Sequence, residues 1–326
     1  MARPLRIEYP GAVYHLTCRG NNKQAIFKNN SDREAFLAIL AQSRQIFSVR
    51  LMAYVLMDNH FHLLVETPLG NLSKFMRRFN ITYTGYFNRT YQQVGHVYQG
   101  RYQSFLVEKE SYLSEVSRYI HLNPVRTKDQ EKKEGESRWN RLRRYPWSSL
   151  PGYLDPKIRK PFVDYAFVLE EFGGDTPPGR RAYQRRIMED LSGELAPREK
   201  VIGQAVLGRD AFIDWVKKTF MGGLQVREVP GLTALKRYRK ADEILEILCR
   251  ETGSTREELM SKKHPHRASA MDLLYRAGGL TGVEIGEIFG VDYSTVSQIR
   301  KRLSRKMIHD RDGQKTMEGL NRKMSI

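Results

Sequence analysis

Residues 51–67 constrain the fold more than any other part of the chain. Leu51–Met57 and His60–Thr67 are two runs of β-forming residues separated by Asp58-Asn59, a pair suited to reversing the chain. The spacing predicts a tight hairpin. His60-Phe61-His62 stands in its second arm. Side chains alternate faces along a strand, so both imidazoles point one way and Phe61 the other. Phe61 can enter a core while the imidazoles converge on one ion.

Flanking segments extend this pattern. Ala12–Cys18 alternates as a strand and ends at Arg19-Gly20-Asn21-Asn22. Ser31–Phe47 reads as a helix, with Ser31 and Glu34 as a capping box and Phe36, Ile39, Leu40, Ile46 and Phe47 as one apolar stripe. Asn71 is placed to cap a long helix carrying Phe75, Phe79, Tyr83, Tyr86 and Phe87, with Arg77, Arg78 and Arg89 on its other face. Tyr98–Val107 predicts a fourth strand and Ser111–Leu122 a further helix. The order β-α-β-β-α-β-α gives an α+β class. Its first six elements match a ferredoxin-like, four-stranded antiparallel sheet with helices on one face.

The sequence divides into a first domain over 1–155, a helical connector over 156–230, a helical module over 234–308 and a tail over 309–326. Gly173–Gly179, with Pro177-Pro178, is a breaker cluster inside the connector, and Gly222–Pro230 reads as a linker. A formal net charge of +18 over 326 residues favours a polyanionic partner, nucleic acid first. There is no apolar run long enough to span a bilayer and no amino-terminal signal pattern. The two cysteines, Cys18 and Cys249, form no disulfide framework, so a cytoplasmic location without membrane partners is expected.

An ion held by His60 and His62 needs a third ligand, and a nucleophile must sit nearby. Ser117–Arg126 can supply both. Tyr119 and Asn123, four apart, share a helix face, whereas His121 points about 200° around from Tyr119. Helix geometry therefore prefers Asn123 to His121. Pro124 disfavours helical angles at Asn123 and predicts the helix end there. Tyr112, seven residues before Tyr119, competes as nucleophile. His15 and His96 read as structural or nucleic-acid contacts.

Four motifs occur in order: Tyr14–Asn21, Tyr54–Glu66, Gly100-Arg101-Tyr102 and Arg118–Arg126. Together they resemble the single-tyrosine HUH transposases, the IS200-like group. Among these, the likeness is to the single-copy relatives associated with repetitive extragenic palindromes, over about residues 1–155. The resemblance implies an enzyme that cleaves single-stranded DNA beside a hairpin, leaving a 5′-phosphotyrosine link and a free 3′-hydroxyl. It implies Tyr119 as nucleophile, with His60, His62 and Asn123 as ligands of Mg²⁺ or Mn²⁺. A homodimer with shared sites and a single-chain enzyme are both compatible with it. Arg3, Arg6, Arg19, Arg77, Arg78, Arg101 and Arg126 are candidate DNA contacts.

A second nucleic-acid module is readable near the carboxy terminus. Thr281 and Glu284 form a capping box, Gly290 ends that helix, and Asp292–Val296 starts the next. This is a helix-turn-helix with Val283, Ile285, Ile288, Val296, Ile299 and Leu303 as its core. Ser294, Thr295, Arg300 and Lys301 are candidate contacts to duplex DNA. With Ile244–Lys263, the region resembles the DNA-binding domain of the bacterial initiator DnaA, although Lys262–Arg267 departs from that family's basic loop. His264 and His266 read as phosphate contacts or as inert. A transposase-like DNA-binding regulator without cleavage, and an RNA-hairpin binder, are the rival readings.

Overall fold

The computed structural model describes residues 6–126, 137–192, 205–221, 239–278, 280, 282–307 and 319–320. They fall into two compact units, one within Arg6–Pro197 together with Val206–Phe212, the other within Ile213–Ile326. The first unit runs past the boundary expected at residue 155. Gly222–Pro230, most of 128–144 and most of the tail lie outside the described residues, as does Thr281 of the expected capping box.

In the first unit, β1 (Ala12–Arg19), α1 (Asn30–Ile46), β2 (Arg50–Met57), β3 (His60–Thr67), α2 (Leu72–Thr90), β4 (Gln103–Val107) and α3 (Lys109–Leu122) follow in chain order. The sheet order is β2-β3-β1-β4, the ferredoxin-like arrangement, and all three pairings are antiparallel. A fifth strand, β5 (Val206–Leu207), was not expected; it pairs parallel to β4 at the edge. The fourth strand is shorter than predicted, because Tyr98 makes only an isolated bridge to Gly20.

The Asp58-Asn59 turn connects β2 and β3 as the spacing predicts. Arg33 on α1 pairs with Asp58, and Gly20 N donates to Asn59 O at 2.8 Å. A Cβ at Gly20 would lie 2.0 Å from Gln24 O, so only glycine fits there.

Phe61 is fully buried, its ring 4.9 Å from Phe36 of α1 and 6.0 Å from Phe79 of α2. Burying each such ring contributes roughly 1.5–3 kcal/mol. Thus α1 and α2 cover the Phe61 face, and α3 covers the opposite face. The expected Ser31–Glu34 box is replaced by Asn29–Asp32, two residues earlier. The reason is tertiary: Asp32 also accepts hydrogen bonds from Tyr86 (3.2 Å) and Tyr91 (2.6 Å) on and beside α2. Ile46, expected in the apolar stripe, is exposed, and Leu37 is buried instead. Asn71 sits at the start of α2 but donates to Phe47 O (3.0 Å) rather than capping.

Residues beyond 137 complete this unit with α4 (Arg138–Arg143), α5 (Leu150–Leu154), α6 (Ala166–Leu169) and α7 (Pro177–Ser192). Tyr153 donates to Met52 O at 2.7 Å, and Leu56 N to Trp147 O at 2.8 Å, so this segment lies along β2. Then α8 (Asp210–Met221) follows β5, and from Ile213 onward it belongs to the second unit.

The second unit contains α9 (Ala241–Thr252), α10 (Arg256–Met260), α11 (Arg267–Arg276), α12 (Gly282–Phe289) and α13 (Tyr293–Met307). Ile244, Leu248, Met271, Leu274, Ile285 and Val296 form its core. Val283, expected there, is exposed. Among the described residues, no helix is long and apolar enough to cross a membrane.

Candidate active site

The register of β1 against β3 pairs Arg19 with His60, Thr17 with His62 and His15 with Leu64. Directly opposite residues share a face. His15, His60 and His62 therefore all lie on the face away from Phe61. Their rings are adjacent: His60 to His62 and His15 to His62 are each 5.1 Å between centroids.

Two bonds orient these rings. His60 Nδ1–H donates to Asn59 Oδ1 at 2.7 Å, which places the His60 lone pair on Nε2. His62 Nδ1 meets His15 Nε2 at 2.9 Å, and both rings are buried, 2% and 3% exposed. Imidazoles whose second nitrogen is held by a polar neighbour suit metal ligation. Among the described residues, no three or more His, Cys, Asp or Glu side chains cluster as a metal cage. The donor set fits a divalent ion that takes two imidazoles and completes its shell with oxygens.

Tyr119 of α3 packs its ring on this face, with centroids 5.7 Å from His15 and 6.0 Å from His62 and steep interplanar angles of 73° and 87°. It is half-buried, and the Arg126 guanidinium lies 5.0 Å over its ring. The rival Tyr112 stands two turns earlier, about 10 Å along the helix axis. Asn123 keeps helical angles (φ −51°, ψ −40°) despite Pro124, because the chain passes into a 3-10 turn over Asn123–Val125 in which Pro124 needs no N–H. Its amide nitrogen donates to Tyr119 O (2.8 Å) and Ile120 O (3.4 Å), so the side chain closes the helix end.

The back of α3 is a different environment. His121 is fully buried, with Nδ1 2.7 Å from Tyr183 Oη and Nε2 2.7 Å from Ser149 Oγ. Burial pulls its pKa down to about 3, so the ring is neutral. Ser117 Oγ also meets Tyr183 Oη at 2.9 Å, and Arg118 Nε donates to Asp190 at 2.6 Å. Through Tyr183 and Asp190, α7 grips the helix that carries Tyr119.

Residues 9–123 match the family described as Transposase IS200 like. The first unit carries an IS200-like transposase domain. That family comprises DNA-cleaving transposases and typically uses a divalent metal. A solved structure titled "Structure of the REP associates tyrosine transposase bound to a REP hairpin" is similar over 50% of this chain and 92% of that chain, at 13% identity and a TM-score of 0.38. No curated protein matches the chain.

The arginines of the transposase domain scatter. Arg19 is exposed at the histidine-face end of β1, and Arg101 is exposed in the segment before β4. Arg6 is tied into the fold, donating to Ser104 Oγ and Tyr102 O with its guanidinium 4.0 Å over the Tyr102 ring. Arg77 and Arg78 point outward from α2 and line a shallow groove with Phe47, Lys74 and Ile81. That groove lies across the sheet from Tyr119. Arg3 lies outside the described residues. The sequence marks His15 only as a structural or nucleic-acid contact and Asn59 only as a turn residue, and it does not single out Tyr183 or Asp190. For His15 the signal was its alternation in β1, which needs the strand register before it means anything.

In the second unit, α12 and α13 are joined by a short turn with Gly290 at φ +63°. A Cβ at Gly286 would lie 2.4 Å from Val291 O, which keeps the turn close. Asp292 accepts from Thr295 N (2.8 Å) and from the Ser294 and Thr295 hydroxyls (2.6 and 3.0 Å), capping α13. These bonds hold the Asp292 carboxyl down at about 2. Tyr293 is 65% exposed beside them. Arg300, a candidate duplex contact, is instead drawn into the fold: it pairs with Asp272 at 3.3 Å and stacks 3.4 Å over Tyr275. The Lys301 side chain lies outside the described residues. His264 and Arg267 are structural, bonding Ser254 Oγ (2.9 Å) and Phe289 O (2.9 Å).

Proposed function

We propose that the transposase domain nicks and rejoins single-stranded DNA beside hairpins, with Tyr119 as nucleophile and Mg²⁺ or Mn²⁺ at His60, His62 and Asn123 Oδ1. The observation that carries this reading is the Tyr119 ring on the histidine face, its centroid 6.0 Å from that of His62 and the two rings nearly perpendicular. The Tyr119 phenol loses its proton and its oxygen attacks the scissile phosphorus. The P–O3′ bond breaks, the 3′ oxygen takes up a proton, and a 5′-phosphotyrosine link remains; the reverse attack rejoins the strand. His60, His62 and Asn123 would hold a divalent ion, which would supply polarisation of the phosphate and offset developing charge. Arg126 and Arg19 flank this path as phosphate contacts, and Asn123 fixes the end of the nucleophile's helix.

In the same proposal, the second unit holds duplex DNA through the amino-terminal end of α13, with Tyr293, Ser294 and Thr295 facing the groove. Asp292 arranges their backbone and hydroxyls. Arg77 and Arg78, with Lys74, contact backbone phosphate at a surface separate from the nick.

The test is an adduct assay. Full-length protein with Mn²⁺ and a hairpin-bearing single strand should yield a protein–DNA band on denaturing gels, lost in Tyr119→Phe. An equal band from that variant moves the nucleophile to Tyr112 or elsewhere. No band on any hairpin substrate favours a binding-only regulator. Deleting 234–326 should weaken duplex binding and flatten its salt dependence; unchanged affinity and slope refute the second unit's role.

A further inference from the structure

We infer that His15 is the positioning residue of the metal site, holding His62 in the one tautomer that can ligate an ion. The inference rests on the metal reading above and deepens it. His15 stands on β1, in the middle of the sheet, one diagonal step from His62 across the β1–β3 ladder. Its Nε2 faces His62 Nδ1 at 2.9 Å, with the rings only 28° from parallel and almost no solvent reaching either.

A bond between two ring nitrogens holds one proton, and its position decides the chemistry. When the proton is on His15 Nε2, His62 Nδ1 accepts it. A neutral His62 then carries its own proton on Nε2 and has no lone pair there for an ion. When the proton is on His62 Nδ1, His15 Nε2 accepts it, and the His62 lone pair is on Nε2. Only the second arrangement makes His62 a ligand through Nε2, and it requires His15 to be the Nδ1–H tautomer. Asn59 does the same for His60, since its Oδ1 accepts from His60 Nδ1–H. Each histidine of the pair thus has its own orienting partner, one supplied by the hairpin turn and one by the neighbouring strand. His15 also lies 5.7 Å from Tyr119, so the residue that orients the ligand packs beside the nucleophile.

The experiment is Mn²⁺ binding to the full chain, followed by electron paramagnetic resonance, in wild type, His15→Leu and His15→Gln. Glutamine keeps an acceptor near the Nε2 position; leucine removes it. Mn²⁺ affinity should fall about 10–100-fold in His15→Leu and return in His15→Gln. The number of directly bound imidazole nitrogens seen by ¹⁴N couplings should be the same in wild type and His15→Gln. A count lower by one in His15→Gln makes His15 a ligand and overturns the positioning role. Equal affinity in wild type and a folded His15→Leu overturns it as well, while leaving the metal reading intact. No Mn²⁺ binding by wild type removes both. A measurement free of variants uses long-range ¹H–¹⁵N spectra of wild type with Mg²⁺. His62 Nδ1 should be protonated and His15 Nε2 not, and the opposite assignment overturns the proposal.

Discussion

His62 and His121 are both buried histidines on either side of α3, yet their surroundings differ. His121 has a hydroxyl on each nitrogen, Tyr183 and Ser149. Ser117 Oγ donates to Ser114 O, so Tyr183 Oη donates to Ser117 and accepts from His121 Nδ1–H, while Ser149 Oγ donates to Nε2; the surroundings fix one tautomer. His62 instead meets another imidazole, where one proton must be shared, and the Tyr119 ring lies nearly perpendicular beside it. Burial alone therefore does not mark a reactive histidine. The front of α3 is arranged to leave a choice of proton position, and the back to remove any. The back is also built by residues 145–192, which lie beyond the family match at 9–123.

The sharpest contrast comes from removing one group on each side. His62→Gln should lower adduct formation about 1,000-fold, the loss of several kcal/mol of charge stabilisation, with thermal stability nearly unchanged. If His62→Gln unfolds the domain while retaining specific activity in the folded fraction, front and back are alike and the comparison fails. On the back, Asp190→Ala strands the Arg118 guanidinium, whose side chain is 7% exposed. It should cost about 3–5 kcal/mol of stability by chemical denaturation. A loss below about 1 kcal/mol would mean that α7 does not hold α3. His121→Leu should cost about 2–3 kcal/mol, because it leaves the Tyr183 and Ser149 hydroxyls competing for fewer partners. Mn²⁺ affinity should not change in either back-side variant. A fall there would join the two sides into one site.

Much of the front was legible in the sequence, and little of the back. The Asp58-Asn59 hairpin and the shared face of His60 and His62 follow from a period of two, which is local. The place of Tyr119 on the inward face of α3 follows from helical spacing in the same way. The His15–His62 bond depends on which residue of β1 lies opposite which residue of β3, and no local pattern fixes that register. Tyr183 and Asp190 reach α3 from more than 60 residues away, inside a stretch that reads only as short helices. The cap of α1 moved to Asn29 for a similar reason, since tyrosines on and beside α2 hold Asp32. In the second unit, Arg300 belongs to a basic helical face by spacing alone, and Asp272 and Tyr275 on α11 withdraw it.

The smallest expected effect is also the most specific to the back of α3. The His121 pKa is lowered to about 3 in the folded protein, against an ordinary value of 6.5. The unfolded chain therefore binds a proton between those values that the folded chain does not. Stability is complete above pH 6.5 and falls as pH drops toward 3, by roughly 1.4 kcal/mol per pH unit while the unfolded state alone is protonated. At pH 5 the loss from this one residue is about 2 kcal/mol. Urea denaturation of wild type and His121→Gln between pH 7 and 5 reads it directly. Wild type should lose stability along that slope, and the glutamine variant, which cannot take up the proton, should be flatter by about one proton's worth. Parallel curves would mean that His121 is protonated inside the fold. The back of α3 would then hold an imidazole whose proton is not fixed by its surroundings, and the contrast between its two sides would collapse.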